Sequence, residues 1–172
     1  MTRPGTAETA AYYFRYIDLV PDGDILETLG KQLTETNSFL SSISEEQSLH
    51  RYAPDKWTVR QVLNHVNDTE RVFLYRALWF ARGFPGELPG MDQDAGVAGA
   101  EANSVTWENL TEEFCNVRLA TLIFFRNLPP AAWSRAGVAS DNPFTVRALA
   151  YIIAGHATHH TTVIREKYLS GG

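Results

Sequence analysis

Four long segments of the chain carry apolar residues at intervals of three and four positions, which places those residues on one face of an α-helix. They predict helices over about residues 22–43, 58–82, 106–127 and 144–168. No segment alternates apolar and polar residues in the manner of a strand bounded by turns, so no strands are expected. Four amphipathic helices of similar length predict an all-α four-helix bundle.

The connection between the second and third predicted helices is unusually long. It reads ARGFPGELPGMDQDAGVAGAEANS and contains seven glycines or prolines. Fully extended, a segment of this length reaches about 70 Å, whereas the second helix is about 37 Å long. The connection can therefore return along the bundle as a crossover. That path leaves the second and third helices parallel and the fourth helix antiparallel to both.

Length and composition limit the number of domains, the partners and the location that can be expected of the protein. A chain of 172 residues favours a single domain over residues 1–172, in which residues 1–10 are expected to form a loose tail. The formal net charge is −5 and Lys and Arg form no stripe, which argues against nucleic acid and an anionic membrane surface as partners. Cys115 is the only cysteine, and neither a signal-peptide core nor a membrane-length apolar run is found. We therefore expect a cytoplasmic protein.

Three of the five histidines fall within the six residues GHATHH, positions 155–160, on the fourth predicted helix. The apolar stripe of that helix continues through His156 and His160, which emerge on nearly the same side one turn apart. This spacing suits two ligands of one metal ion. His159 is about 100° away from His160 around the helix axis and falls on the flank of the stripe.

A further histidine, His65, lies on the second predicted helix beside Val62 and Val66. If the second and fourth helices are antiparallel, His65 and His160 both lie about 10–12 Å from the same end of the bundle. Burial of unpaired imidazoles is costly, so their position favours a metal site over packed core histidines. Histidines that face the surface or a partner are the alternative.

Three segments carry a more specific pattern: YAPDKWTVRQVLNHVNDTERVFLYRALWFARG, WENLTEEFCNVRLATL and NPFTVRALAYIIAGHATHH. Through them the chain resembles the DinB-like superfamily, in its branch of metal-dependent hydrolases, over about Tyr52 to Tyr168. The resemblance implies a four-helix bundle with a divalent-metal site made by one histidine on the second helix and an HxxxH pair on the fourth. These positions match His65, His156 and His160. Many members continue with HHxGQ where this chain reads HHTTVI, so the resemblance implies no particular substrate.

Three neutral imidazoles leave open positions on a metal ion, the pattern of catalytic rather than structural sites. Zinc is the expected ion, and nickel, iron, manganese or copper also suit imidazole. A metal-activated water would make the protein a hydrolase of a small molecule. A metal-stabilised thiolate would instead make it a low-molecular-weight thiol S-transferase with a thiol cosubstrate. A non-catalytic metal-binding bundle that acts through association is a further alternative, and a homodimer is expected.

Other side chains are weaker candidates for the site. Asp68 follows His65 by three positions and could orient a ligand, although an exposed pair with Arg71 fits equally. Asn37 interrupts the apolar stripe of the first helix near the height of the histidines, so it could face substrate. Glu113 is a candidate fourth ligand, with a solvent-facing charge as the alternative. Cys115 is expected to be a packed thiol rather than a nucleophile.

The crossover adds one more expectation. Its later half contains Met91-Asp92-Gln93-Asp94 and should lie at the end of the bundle that holds the histidines. We single out Asp92, because the resembling family branch has a short acidic segment before the third helix. Asp92 could orient metal-bound water or hydrogen-bond a ligand histidine. A solvated loop carboxylate is the alternative.

Overall fold

The computed structural model of the protein describes residues 2–169 and contains the predicted four-helix bundle, built from α2 (Ile25–Ser41), α4 (Val59–Arg82), α6 (Trp107–Arg126) and α7 (Val146–Val163). The elements in chain order are a 3₁₀ turn (Ala11–Tyr13), α1 (Phe14–Ile17), α2 (Ile25–Ser41), α3 (Glu45–Ser48), α4 (Val59–Arg82), α5 (Gln93–Ala100), a 3₁₀ turn (Ala102–Ser104), α6 (Trp107–Arg126), a 3₁₀ turn (Pro130–Ala132), β1 (Ala136–Ala139), β2 (Asn142–Thr145), α7 (Val146–Val163) and a π-helical turn (Ile164–Tyr168). The prediction of four long helices is confirmed, with bounds that differ by a few residues.

Each long helix begins at a side chain that accepts a hydrogen bond from a backbone amide of the first turn. These N-cap residues are Asp24, Thr58, Thr106 and Thr145. Such caps satisfy amides that have no partner within the helix. At its other end α4 stops at Gly83, whose φ of 70° is the left-handed conformation that favours glycine.

Contacts between α4 and α6 advance together along both helices. Arg60 near the start of α4 donates to the carbonyl of Val105, just before α6. About three helical turns further on, Glu70 pairs with Arg118 in the middle of α6. Contacts that increase together in both sequences mean that α4 and α6 run parallel. The predicted crossover is therefore confirmed, and α5 lies within it.

Contacts between α4 and α7 run in opposite order. The hydroxyl of Tyr168, beyond the end of α7, donates to the carbonyl of Trp57, before the start of α4. Further along α4, the ring of Phe73 packs against that of His156, earlier in α7. The two helices are therefore antiparallel. This arrangement brings the histidines of the second and fourth long helices to one level.

The expectation that the chain has no strands is wrong. β1 and β2 form an antiparallel hairpin in which Ala136 pairs with Thr145 and Ala139 with Asn142. Its turn residues, Ser140 and Asp141, both have positive φ. Strands of only four residues are too short to show alternation in the sequence. The hairpin occupies the segment just before α7, where the fourth helix was expected to begin.

The expectation of a loose tail at residues 1–10 is also corrected, over residues 2–10. The guanidinium of Arg3 donates to the carbonyl of Ile17 at 2.6 Å. Glu8 forms an ion pair with Arg147 at the start of α7, and Thr9 is buried beside the hairpin. Local composition could not show these long-range contacts, which tie the start of the chain to the bundle.

Two apolar clusters form the core and meet at the level of the histidines. One contains the later half of α4 and the first half of α7, and the other contains the start of α4 and the end of α7. Within residues 2–169 no helix combines the length and apolar character needed to cross a membrane.

Candidate metal centre

Three imidazoles converge where the two core clusters meet. The Nε2 atom of His65, on α4, lies 3.2 Å from Nε2 of His156, on α7. The Nε2 atom of His160, one turn further along α7, lies 3.1 Å from the same atom of His156. His65 and His156 are each only 5% exposed, and His160 is half-buried. The structure thus brings together the three histidines that the sequence singled out, each offering the same ring nitrogen.

The spacing of these nitrogens fits a metal ion. Nitrogen ligands about 2.0–2.1 Å from a tetrahedral zinc ion lie about 3.3 Å from one another. The two measured separations of 3.1 and 3.2 Å are close to that value. Within residues 2–169 the cluster of potential ligands holds His65, His156 and His160 and no carboxylate or thiol. A tetrahedral ion held here would keep an open position.

The environment keeps all three imidazoles neutral, the form that binds metals. Burial lowers the pKa of His65 to about 4 and that of His160 to about 3. For His156, burial and then the neighbouring imidazoles hold the pKa well below its ordinary value. The negative charge of Asp94 acts in the opposite direction on His65. At neutral pH the three nitrogens therefore need no deprotonation before they accept a cation.

Neighbouring groups hold the rings in place. The hydroxyl of Thr69, one turn after His65, lies 3.4 Å from its Nδ1 atom, and the ring of Trp57 packs beside the imidazole. On α7, Gly155 allows very close packing: a Cβ atom there would lie 1.9 Å from the carbonyl oxygen of Tyr16. This close approach places the ring of His156 in contact with Tyr16 of α1. The glycine of GHATHH therefore serves packing, while His156 and His160 of the same stretch face the centre.

A polar network that links all four long helices lies beside the centre. The guanidinium of Arg118 (α6) binds both carboxylate oxygens of Glu70 (α4), at 2.8 and 2.7 Å, and the side-chain oxygen of Gln32 (α2), at 2.6 Å. The amide nitrogen of Gln32 donates in turn to Ala154 and Thr158 on α7. Sequence reasoning missed this network, because its members are charged or polar residues within helices expected to bury apolar ones.

A cavity of about 240 Å³ opens onto His65 and His156. Its other walls come from the start of the chain, from α4, from the crossover and from the hairpin: Tyr12, Tyr13, Tyr16, Thr69, Val72, Phe73, Arg76, Met91, Gln93 and Ser140. The crossover therefore reaches the histidines with its later half, as predicted. The cavity gives a small molecule a route to His65 and His156.

The weaker candidates on the helices lie elsewhere. The carboxylate of Asp68 accepts from Asn64 at 2.6 Å and from Arg71 rather than orienting a ligand histidine, and burial raises its pKa. Asn37 lies in a different groove, between α2 and α6, where its oxygen contacts the thiol of Cys115. Asn37 was predicted from its height along the bundle and Asp68 from its position three residues after His65, and the contacts of both side chains lie away from the three histidines.

Glu113 is not a fourth ligand, because its carboxylate pairs with Arg71 at 2.7 Å. Cys115 is half-buried at the edge of the core, and burial raises the pKa of its thiol, as expected of a packed cysteine rather than a nucleophile.

Asp92 has a structural role in the crossover. One of its carboxylate oxygens accepts hydrogen bonds from the backbone amides of Asp94 and Ala95, at 3.0 and 3.1 Å, and so caps α5. The predicted contact with a ligand histidine is replaced by this cap. Within the stretch from Met91 to Asp94, the carboxylate whose negative charge acts on His65 is that of Asp94. The neighbouring side chains that reach the cavity are Met91 and Gln93.

Comparison with known proteins agrees with this architecture. Among solved structures, the chain is similar to YfiT from Bacillus subtilis, with 16% sequence identity and a TM-score of 0.68. The alignment covers 96% of this chain and 90% of that one. YfiT is described as a probable metal-dependent hydrolase with an unusual four-helix bundle topology. At this level of identity the likeness shows the fold. A search of curated proteins finds no significant match.

The family profile of the DinB superfamily matches residues 28–164. The matched region spans the four long helices almost completely and contains His65, His156 and His160. The chain therefore belongs to the DinB superfamily.

Proposed function

We propose that the protein binds one divalent metal ion through His65, His156 and His160 and uses it to hydrolyse a small molecule. The observation that carries this proposal is the convergence of three neutral imidazole nitrogens, at separations close to those of a tetrahedral ion, beside a cavity. A structural site would be closed by a fourth protein ligand. The described residues offer none at this position, so an open, catalytic site is the better explanation.

Zinc is the metal that we propose, because neutral imidazoles in a tetrahedral arrangement suit it; nickel, iron and manganese are the alternatives. When bound, such an ion supplies Lewis-acid chemistry toward a substrate oxygen and toward water. The protein supplies position and environment. Thr69 orients His65, Phe73 and Tyr16 cover His156 with apolar surface, and the cavity admits the substrate from one side.

A thiol S-transferase is the second candidate, because an open site beside a cavity could equally hold the sulfur of a small thiol. Cys115 does not supply that sulfur, since it lies in the groove between α2 and α6. The thiol would therefore be a cosubstrate from solution. The predicted homodimer and the predicted cytoplasmic location stay predictions.

An activity screen tests the proposal and separates the two reactions. Purified protein is treated with a chelator, reconstituted with zinc, nickel, iron or manganese, and assayed on panels of aryl esters, anilides and phosphate esters. A parallel assay measures loss of a small thiol in the presence of chlorodinitrobenzene. We expect chelator-sensitive hydrolysis that returns with metal, is lost in His160→Ala and persists in the matched control His159→Ala. Metal-dependent thiol loss without hydrolysis would favour the transferase, and turnover that survives in His160→Ala would contradict both.

A further inference from the structure

Among residues 2–169, three arginines are almost completely buried, and one of them differs from the other two. Arg60 and Arg118, which are 4% and 0% exposed, each form an ion pair with a glutamate, Glu45 and Glu70 respectively. Arg76 is also 4% exposed, yet among the ion pairs of residues 2–169 it has no carboxylate partner. Since burial of an unpaired charge is costly, the absence of a counter-charge needs an explanation.

The polar contacts of Arg76 are neutral. One nitrogen of its guanidinium donates to the carbonyl of Pro89 at 3.1 Å and to the hydroxyl of Ser140 at 2.7 Å, and Tyr13 lines the same cavity. The rings of Phe73 and Phe144 lie 5.6 and 5.9 Å from its central carbon. These rings, the carbonyl of Pro89 and the hydroxyl of Ser140 stabilise a cation only in part. A full counter-charge would have to come from a molecule in the cavity.

Arg76 lines the same cavity as His65 and His156. Residues 65 and 76 both lie on α4, and a single aromatic ring connects their surroundings: the Phe73 ring lies 5.6 Å from the central guanidinium carbon of Arg76 and 6.4 Å from the His156 ring. The cavity therefore has His65 and His156 toward one end and a buried cation toward the other, and the aromatic ring of Phe73 lies close to both His156 and Arg76. A molecule that satisfies both ends must be extended, with an apolar middle and an anionic group.

We propose that the protein selects substrates that carry a carboxylate remote from the reacting bond, and that Arg76 binds this carboxylate while the reacting group lies at the histidines. The inference rests on the proposed function for the histidine end only. The planar guanidinium can bind a carboxylate through two parallel hydrogen bonds, which gives direction as well as affinity. Arg76 is thus the specificity-determining residue of the cavity.

A purely structural role for Arg76 predicts something different. Its contacts with Pro89 and Ser140 connect α4 to the crossover and to the hairpin. Loss of these contacts would lower the affinity for every ligand of the cavity to a similar extent. Arg76→Met removes the charge and keeps most of the stem, whereas Arg76→Lys keeps a charge without the planar fork. Arg71→Met is the matched control, because it removes an exposed arginine of the same helix that lies outside the cavity.

The test uses calorimetric titration of the metal-loaded protein with hydroxamates, which chelate metal ions. The probes are the monohydroxamates of dicarboxylic acids from succinic to suberic acid, each compared with its methyl ester. We expect the best acid to bind at least about tenfold more tightly than its ester, as one charged hydrogen-bonded pair would give. Arg76→Met should abolish this preference with little change for the ester, Arg76→Lys should keep part of it, and Arg71→Met should keep all of it.

Two results would overturn the inference: equal binding of acid and ester by the unaltered protein, or parallel weakening of both probes in Arg76→Met. Metal content is measured on the same samples, so failure of the proposed metal site is seen separately. If no metal is retained, plain dicarboxylates replace the hydroxamates. Binding of pimelate that is absent for its dimethyl ester and lost in Arg76→Met then supports the inference, and binding that is unaffected by Arg76→Met overturns it.

Discussion

The buried pair of Glu70 and Arg118 offers the sharpest test of how the bundle is held together. Glu70 and Arg118 have side chains that are 3% and 0% exposed, and two hydrogen bonds of 2.8 and 2.7 Å join them. Glu70→Gln preserves shape but removes the negative charge and turns one of the two acceptors of the Arg118 guanidinium into a donor, so that the charge is left with neutral acceptors from the new glutamine and Gln32. Removal of one partner of a buried pair leaves an uncompensated charge, which costs about 3–5 kcal/mol of unfolding free energy.

Urea denaturation measures this loss. The exposed i,i+4 pair of Lys31 and Glu35 provides the control, and Glu35→Gln should cost less than about 0.5 kcal/mol. The double variant Glu70→Leu with Arg118→Met removes both charges together and should recover most of the stability that Glu70→Gln loses. A loss below about 1 kcal/mol for Glu70→Gln would refute the reasoning, because the pair would then behave like an exposed one.

Three further predictions concern the packing and chemistry of the centre. Gly155→Ala should lower the unfolding free energy by about 1–3 kcal/mol, because its Cβ atom would meet the Tyr16 carbonyl. Gly99→Ala is the control and should not lower it, because a Cβ atom at that position has no neighbouring atom within 4 Å. Equal effects of the two substitutions would contradict this packing. The metal-free protein should lose stability as pH falls from about 6.5 to about 4, because the unfolded chain takes up a proton at His65 that the folded protein excludes. The loss due to His65 should reach about 3 kcal/mol of unfolding free energy. If His65→Leu has the same dependence of stability on pH over this range, the prediction is contradicted. Thr69→Val should weaken metal binding about tenfold in competition with a chromogenic chelator, through loss of the contact with His65; unchanged affinity would exclude that role.

The sequence was sufficient for the helices and for the three histidines, because both depend on position along a helix. A stripe of apolar residues defines the buried face, and His156 and His160 continue that stripe within one helix. Whether His65 lies at their level depends only on helix direction, which the long crossover indicated. Helix geometry, together with the family resemblance, therefore predicted which side chains meet.

The sequence was insufficient where function depends on which residues face each other across the bundle. Height along the axis suggested Asn37, and spacing from His65 suggested Asp68, yet neither fixes the direction of a side chain: Asn37 faces the groove between α2 and α6, and Asp68 contacts Asn64 and Arg71. Glu70 and Arg118 are separated by 48 positions, and nothing local indicates that two charged residues pair inside the core. The assumption that buried positions are apolar also concealed Arg76.

The short elements were missed for a similar reason. Residues 2–10 are held by long-range contacts of Arg3 and Glu8, and the hairpin depends on a turn at Ser140 and Asp141. Each of these features forms because a distant part of the fold supports it. Composition and periodicity describe only the neighbourhood of a residue, so they could not reveal such features.

Metal analysis of the purified protein and its histidine variants tests the central claim most directly. Each variant is loaded with zinc and dialysed, and its zinc content is measured by inductively coupled plasma mass spectrometry. The fold of each variant is checked by circular dichroism. The account predicts one ion per chain in the unaltered protein and in His159→Ala, and loss of the ion in His65→Ala, His156→Ala and His160→Ala. Retention of a full equivalent of metal by folded His156→Ala or His160→Ala, or its loss from His159→Ala, would contradict the account.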